Sequence, residues 1–159
     1  MGKAASIFID ILYFRNYNIS YMEIGLLKDI KSLGAAVPTV ILSEGESFEA
    51  HAFASAFSAD DRNYVKAFLK KTPVRDGHTH LLFTPSGKEA IVVGIPKRTQ
   101  FTHRKALMTA RRIVSFARRE RIKNLSVSLH DFVSRSFESR LPDLSEFVAV
   151  QFGLANFEY

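Results

Sequence analysis

Apolar residues along this chain fall into two alternating patterns, short runs typical of strands and longer stretches at helical spacing. The short runs are rich in Ile, Val and Leu and stand next to Gly, Pro or Ser. The turn sequence Pro85-Ser-Gly87-Lys joins two of these runs and predicts a hairpin. The predicted strands are Ser6–Phe14, Pro38–Ser43, Thr79–Thr84, Ala90–Gly94 and Leu125–Leu129.

Helical spacing fills most of the intervals between these strands. In the first interval, Ser20 and Glu23 have the spacing of a capping box and Gly34 supplies a stop signal. The segment Glu44–Ser58 is rich in Phe, Ala and Ser and gives no clear pattern. The predicted helices are Ser20–Gly34, Ser58–Lys71, Arg104–Arg121 and a final helix that begins at Pro142.

The alternation of strands and helices predicts one α/β domain over residues 1–159, a three-layer fold with a mixed sheet flanked by helices. No internal repeat or linker divides the chain. The last helix stays apolar almost to Tyr159, and no polar tail follows it. Because natural chains usually end in polar residues, we expect that this sequence is cut from a longer chain.

Charge is distributed unevenly. The chain has 22 Lys and Arg residues against 16 acids, a net charge of +6, and the segment Arg62–Lys123 holds 16 of the bases but only three of the acids. Such an excess favours an acidic partner, either nucleic acid or an acidic protein surface. A solvated helix face is the alternative interpretation.

The basic residues are densest on the predicted helix Arg104–Arg121. They recur as adjacent pairs seven residues apart, nearly two helical turns, which predicts one basic ridge opposite an apolar face that includes Ala106 and Ile113. The ridge residues are Arg104, Lys105, Arg111, Arg112, Arg118 and Arg119. They are candidate contacts for nucleic-acid phosphates or for a protein partner. No stacking platform or base-reading set accompanies them, so nucleic-acid binding would have little sequence specificity.

Composition excludes several classes of protein. With no cysteine, the chain has no disulfide, no thiolate metal site and no cysteine nucleophile. No apolar run approaches the ~20 residues that span a bilayer. Asp10 and Arg15 interrupt the first apolar stretch, so it does not have the form of a signal peptide. We therefore expect a cytoplasmic protein that does not contact membranes.

Catalytic and metal-binding signals are sparse. His78 and His80 lie two residues apart in or near a strand and could offer two metal nitrogens, but no third ligand is near in sequence, and solvent-facing histidines are the alternative. The carboxylates form two clusters. We interpret Glu44, Glu46 and Glu49 as solvated loop residues, and Asp60 and Asp61 as acids in the first turn of a helix. Nucleophile elbows and glycine-rich phosphate loops are absent from the sequence. We assign this chain no catalytic residue, metal ligand or cofactor.

Two segments carry a family resemblance. The first is Ala90-Ile-Val-Val-Gly-Ile-Pro-Lys97, followed by the basic helix and by Ile122-Lys-Asn-Leu-Ser-Val-Ser-Leu129. The second is Phe152-Gly-Leu-Ala-Asn-Phe157-Glu-Tyr159. The first segment resembles the strand, Val-Gly-x-Gly-Lys, helix, strand core of the N-terminal domain of leucyl (cytosol) aminopeptidases, with Pro96 at the second glycine. The second is similar to the helix end of that domain.

This resemblance implies a macro-domain-like fold and a non-catalytic N-terminal domain that assists assembly and active-site access. The parent enzyme would remove N-terminal residues from peptides and assemble as a hexamer. Two divalent metal ions (Zn or Mn) would lie in its C-terminal catalytic domain, whose Asn-Thr-Asp-x-x-Gly-Arg signature is absent here. Some family members also bind DNA. A weaker alternative is a macro-like domain that binds a nucleotide such as ADP-ribose, although the chain has no glycine-rich loop.

Overall fold

The computed structural model describes residues 11–18, 21–27, 29–133 and 141–156. Within these residues the chain forms six strands, three α-helices and several short 3-10 turns. The strands are β1 (Ile11–Asn18), β2 (Tyr21–Leu27), β3 (Val37–Ser43), β4 (Thr79–Phe83), β5 (Glu89–Ile95) and β6 (Asn124–Ser128). The helices are α1 (Ala59–Lys71), α2 (His103–Arg119) and α3 (Leu141–Asn156).

All six strands belong to one mixed sheet with the order β2-β1-β6-β3-β5-β4. The three central strands, β6, β3 and β5, run parallel. The outer strands are antiparallel, β1 against β6 and β2 on one side and β4 against β5 on the other. The predicted mixed α/β sheet is therefore confirmed.

Helices cover both faces of this sheet, which confirms the predicted three layers. On one face α2 and α3 pack against the strands, with Ile113 and Phe152 in the same apolar cluster as Val93. On the other face α1 and the 3-10 turns after β3 pack around Val40 and Val65. Because β3 lies between two covered faces, every one of its residues is buried.

Several boundaries agree with the predictions. The predicted strand Pro38–Ser43 lies within β3, and the hairpin at Pro85 joins β4 to β5. Helix α1 begins after Ser58, whose side-chain oxygen accepts a hydrogen bond from the N–H of Asp61. Helix α2 has Thr102 as its N-cap, with a bond from the N–H of Lys105. The final helix begins one residue before Pro142.

The predicted helix Ser20–Gly34 is wrong. Its first part is the strand β2, which pairs with β1, and its last part is a 3-10 turn at Ile30–Leu33 that ends at Gly34. Tertiary pairing overrides the capping-box signal here. The ring of Tyr13 lies over Gly25 so closely that a Cβ there would overlap it, and the Tyr13 hydroxyl donates to Glu23 Oε1 at 2.8 Å. In a helix, Gly25 would instead cost about 1 kcal/mol relative to alanine.

The first strand is displaced from its predicted bounds. It continues past Phe14 as far as Asn18, because the hairpin with β2 extends the pairing. The predicted part from Ser6 to Asp10 lies outside the described residues.

Candidate functional site

The basic residues of α2 form two rows instead of one band. Adjacent helical residues lie about 100° apart, so the first members of each pair form one row and the second members form another. The rows are Arg104, Arg111 and Arg118, and Lys105, Arg112 and Arg119. Met108 and Ser115 lie between the rows, on the solvent-exposed face of the helix.

Each row forms a hydrogen bond with a different neighbour of α2. In the first row, Arg118 Nη1 donates to the carbonyl of Ala155 in α3 at 3.5 Å. In the second, Arg112 Nη1 donates to the carbonyl of Gly94 at 3.4 Å, at the other side of the helix. The two rows therefore contact different parts of the fold.

The two rows differ in how much of their charge faces solvent. Arg104, Arg118 and Arg119 are exposed, whereas the other three ridge residues are partly buried. Lys105 forms an ion pair with Asp76 at 2.9 Å, and Arg119 forms one with Glu120 at 3.0 Å. Exposed pairs of this kind are weak and easily exchanged for another anion. The exposed basic residues therefore lie at both ends of the helix.

The histidine pair lies at the start of β4. The ring centroids of His78 and His80 are 6.1 Å apart, and the ring of His80 meets Phe68 edge-on. Burial, with a smaller contribution from the charge of His78, lowers the pKa of His80. Among the described residues, no group of three His, Asp or Glu side chains is arranged to hold a metal ion.

A different site emerges where β3 and β5 end. These strands are parallel neighbours, yet the chain leaves β3 for the α1 face of the sheet and leaves β5 for the α2 face. A crevice opens between such strands at their carboxyl ends, the usual place for a ligand in an open α/β sheet. Here it is a cleft of about 590 Å³, which we call the switch-point cleft. Its lining includes Leu42, Glu46, Ser47, His51, Arg98, Ser128, His130 and Asp131.

Three polar side chains of this cleft occupy equivalent positions in the fold. Glu46, Arg98 and Asp131 each stand three residues beyond the end of a central strand, β3, β5 and β6 respectively. Arg98 connects them. Its Nε and Nη2 atoms lie 2.7 and 3.2 Å from the two carboxylate oxygens of Glu46, and its Nη1 donates to the carbonyl of Asp131 at 2.7 Å. One guanidinium thus links the ends of all three parallel strands.

The environment of Glu46 keeps it ionised. Burial alone would raise its pKa, but hydrogen bonds from Arg98 and from the N–H of Ser43 outweigh burial and lower the pKa. The two-point contact with Arg98 also fixes the orientation of the guanidinium. The cleft therefore has a preorganised ionic wall.

A buried histidine and aspartate form the floor of the cleft. His51 Nε2 lies 2.8 Å from Asp131 Oδ2, and the two side chains are only 4% and 9% exposed. His51 Nδ1 accepts a hydrogen bond from the N–H of Phe53 at 3.1 Å. Neutral His51 therefore carries its proton on Nε2 and donates it to Asp131. With both ring nitrogens engaged, His51 is a structural bridge between the segment after β3 and the end of β6, not an available general base.

One hydroxyl of the cleft is unpaired. Ser128, the last residue of β6, is 0% exposed, and its Oγ has no hydrogen-bond partner within the part of the chain that the structure describes. Val127 and Leu129 belong to the cluster on the α2 face, so strand alternation directs the Ser128 side chain to the opposite face, where Leu42 also lines the cleft.

Sequence reasoning missed this cleft. It interpreted Glu46 as loop solvation, whereas the fold brings residues 46, 51, 98, 128, 130 and 131 together. The available signal was the recurrence of a charged residue three positions after each buried strand. The predicted ridge residues lie on α2, and none of them lines the cleft. The histidine pair lies at the start of β4, with His78 just before the strand and His80 within it.

No model of a known protein family matches this chain, and no curated protein matches it significantly. Among the described residues, no helix is long and apolar enough to cross a membrane.

Proposed function

We propose that this chain is the non-catalytic N-terminal domain of a leucyl-aminopeptidase-like metallopeptidase. The observation that carries the proposal is the unit β5–α2–β6, the segment on which the sequence resemblance rests. The turn at Pro96 follows a buried strand and leads into a helix that packs on the sheet, and the chain then returns to a parallel central strand. This is the order of elements that the family resemblance requires.

The remaining architecture is compatible with this role. The described residues form one three-layer unit with continuous apolar clusters on both faces of its sheet, as an accessory domain with its own core requires. In the parent enzyme the domain would assist hexamer assembly and access to the active site. The two divalent metal ions would be held by the catalytic domain and not by this chain.

The reading frame downstream of Tyr159 provides the most direct test. We expect it to encode a domain with the family's metal-ligand signature. The longer product should hydrolyse leucine p-nitroanilide in the presence of Zn²⁺ or Mn²⁺, whereas the 159-residue chain should not. Turnover by the 159-residue chain, or a downstream frame without that signature, would overturn the proposal.

Nucleic-acid binding through α2 is a second candidate, favoured by the exposure of Arg104, Arg118 and Arg119. At 1.5 Å per residue, the first and last of these lie roughly 22 Å apart along the helix, comparable to several phosphate spacings of one DNA strand. Their contact with DNA would be electrostatic and weakly sequence-specific, because the side chains between them are Met108 and Ser115.

A salt titration distinguishes this candidate from a merely solvated helix. Changing Arg104, Arg118 and Arg119 to Gln should weaken duplex binding at low salt. It should also reduce the slope of log K against log salt by roughly 0.9 for each phosphate that the variant no longer neutralises. The control is the change of Lys70 and Lys71, exposed bases on α1 in the opposite layer, to Gln. Equal effects of the two sets, or no binding by the unchanged protein at low salt, would exclude a specific role for α2.

A further inference from the structure

The switch-point cleft is built as a ligand site, and we propose that it binds a small uncharged molecule with adjacent ring hydroxyls. Two sources share this chemistry, a free monosaccharide and the ribose of a nucleoside. The inference is independent of the accessory role proposed above, because the cleft lies on residues that the family resemblance does not use, apart from Ser128.

Position and size support a binding site. The cleft opens at the carboxyl ends of three parallel strands, at the point where successive connections turn to opposite faces of the sheet. Its volume of about 590 Å³ lies within the usual range for small-molecule sites. The lining combines apolar surface from Leu42 and Ala52 with a few convergent polar groups.

The polar groups are fixed before any ligand arrives. Arg98 is held by Glu46 and by the carbonyl of Asp131, while Asp131 is held in turn by His51. An ionic and histidine network of this kind is no more stabilising than apolar packing of the same volume. Its rigid orientation does, however, reduce the ordering cost of binding a ligand.

The unpaired hydroxyl of Ser128 points to a ligand that can hydrogen-bond. A buried hydroxyl without a partner is unfavourable and uncommon in folded proteins. A ligand hydroxyl can both donate and accept, so it can pair with Ser128 Oγ whichever way that hydroxyl is turned. A second, adjacent hydroxyl would suit Asp131, whose Oδ1 lies 3.9 Å from Arg98 Nη2, beyond hydrogen-bond distance.

Charge argues for an uncharged ligand. Two carboxylates, Glu46 and Asp131, face one guanidinium, and the N–H groups of Arg98 are already directed at acceptors. A phosphate would therefore meet two like charges, and a cation would meet the guanidinium. Hydroxyls bind carboxylates and guanidinium groups without adding charge.

The test is a titration of the 159-residue chain with each probe, in which binding is measured by calorimetry and by the ¹H–¹⁵N NMR shifts of the cleft residues. The probes are D-ribose, D-glucose, adenosine and ADP-ribose. We expect adenosine or a free sugar to shift the resonances of Ser128 and Asp131, and ADP-ribose to bind more weakly than adenosine. Binding of ribose and glucose as tight as that of adenosine indicates a monosaccharide site, and tighter binding of adenosine indicates a nucleoside site.

A pair of serine variants separates binding from folding. Ser128→Ala should weaken binding about tenfold, the effect of one hydrogen bond, without lowering stability, because it removes an unpaired hydroxyl. The control is Ser126→Ala on the same strand and face, whose Oγ bonds to the carbonyl of Val37 and does not line the cleft. It should leave binding unchanged. Binding of none of the probes, tighter binding of ADP-ribose than of adenosine, or equal effects of the two variants would overturn the proposal.

Discussion

The carboxylate of Asp61 ties the start of α1 to the β4–β5 hairpin, and its removal should be the most informative test of this fold. The side chain is 1% exposed. Its Oδ1 accepts from the N–H of Ser86 at 3.1 Å and its Oδ2 from the Ser86 hydroxyl at 2.5 Å. Asp61 is also the third residue of the helix, where the N–H bonds to Ser58 and a negative charge is favoured by the helix dipole.

The magnitude follows from these contacts. Asp61→Asn keeps the shape of the side chain and one acceptor oxygen, but it turns an amide donor towards one of the two Ser86 donors. A hydrogen bond to a charged group contributes about 1.5–3 kcal/mol, and the helix-dipole term adds about 0.3–1 kcal/mol. We therefore expect a loss of about 2–3 kcal/mol in the free energy of unfolding, or roughly 4–12 °C in Tm for a chain of this length.

Urea unfolding followed by circular dichroism measures this loss, and the neighbouring acid provides the control. Asp60 also lies in the first turn of α1, but it is exposed, so Asp60→Asn should remove only the dipole term of about 0.3–1 kcal/mol. Similar losses in the two variants, or a loss below 1 kcal/mol for Asp61→Asn, would refute the assigned tie to Ser86.

The same contacts predict how the difference varies with pH. Burial alone would raise the pKa of Asp61, but hydrogen bonds from Ser86, Thr84 and Ser58 outweigh it and lower the pKa. Because the folded-state pKa is below the unfolded one, the contribution is complete above the unfolded value of about 3.9 and is lost as pH falls through the folded value. The advantage of the unchanged protein over Asp61→Asn should therefore shrink below about pH 4.

Four further substitutions have clear expected outcomes. Gly94→Ala places a Cβ against the carbonyl of Arg75 and should lower the free energy of unfolding in urea by at least about 2 kcal/mol. Gly153→Ala lies in open space within α3 and should raise the free energy of unfolding by about 0.5–1 kcal/mol. Equal effects would contradict the assigned packing. Glu46→Gln should cost about 0.5–1 kcal/mol at pH 7, since the ion pair is partly exposed. Because the folded pKa of Glu46 is lowered, this difference should shrink below the unfolded value of about 4.3 and be lost as pH falls through the folded pKa; a pH-independent difference would contradict this. The pKa of His80 is lowered in the folded protein, so the unfolded chain binds the proton more readily and the unchanged protein should lose stability as pH falls below about 6.5. His80→Phe should remove this loss. An unchanged pH profile of stability in the variant would count against the assignment.

Local patterns were sufficient for the elements that carry their own signals. β3 carries the apolar residues Val40, Ile41 and Leu42 in succession because both of its faces are covered, and Ser58 is the N-cap of α1 because a serine followed by acids satisfies the first turn. β2 could not be predicted in this way. Its residues match a helix start as well as a strand, and only the pairing of Gly25 with Tyr13 on another strand decides between them.

A charged residue three positions after each central strand is a local signal, but the switch-point cleft itself depends on strand order, which no local pattern encodes. Glu46, Arg98 and Asp131 lie in separate connections, and each alone resembles an ordinary polar loop residue. They meet because β3 lies between β6 and β5, so the three connections leave from one edge of the sheet. In this chain the guanidinium of Arg98 lies next to the carboxylates of Glu46 and Asp131, which would otherwise repel each other. Exchange of Arg98 for a neutral residue should therefore disturb the ends of all three strands, while the α2 rows, which lie on the other face, remain in place.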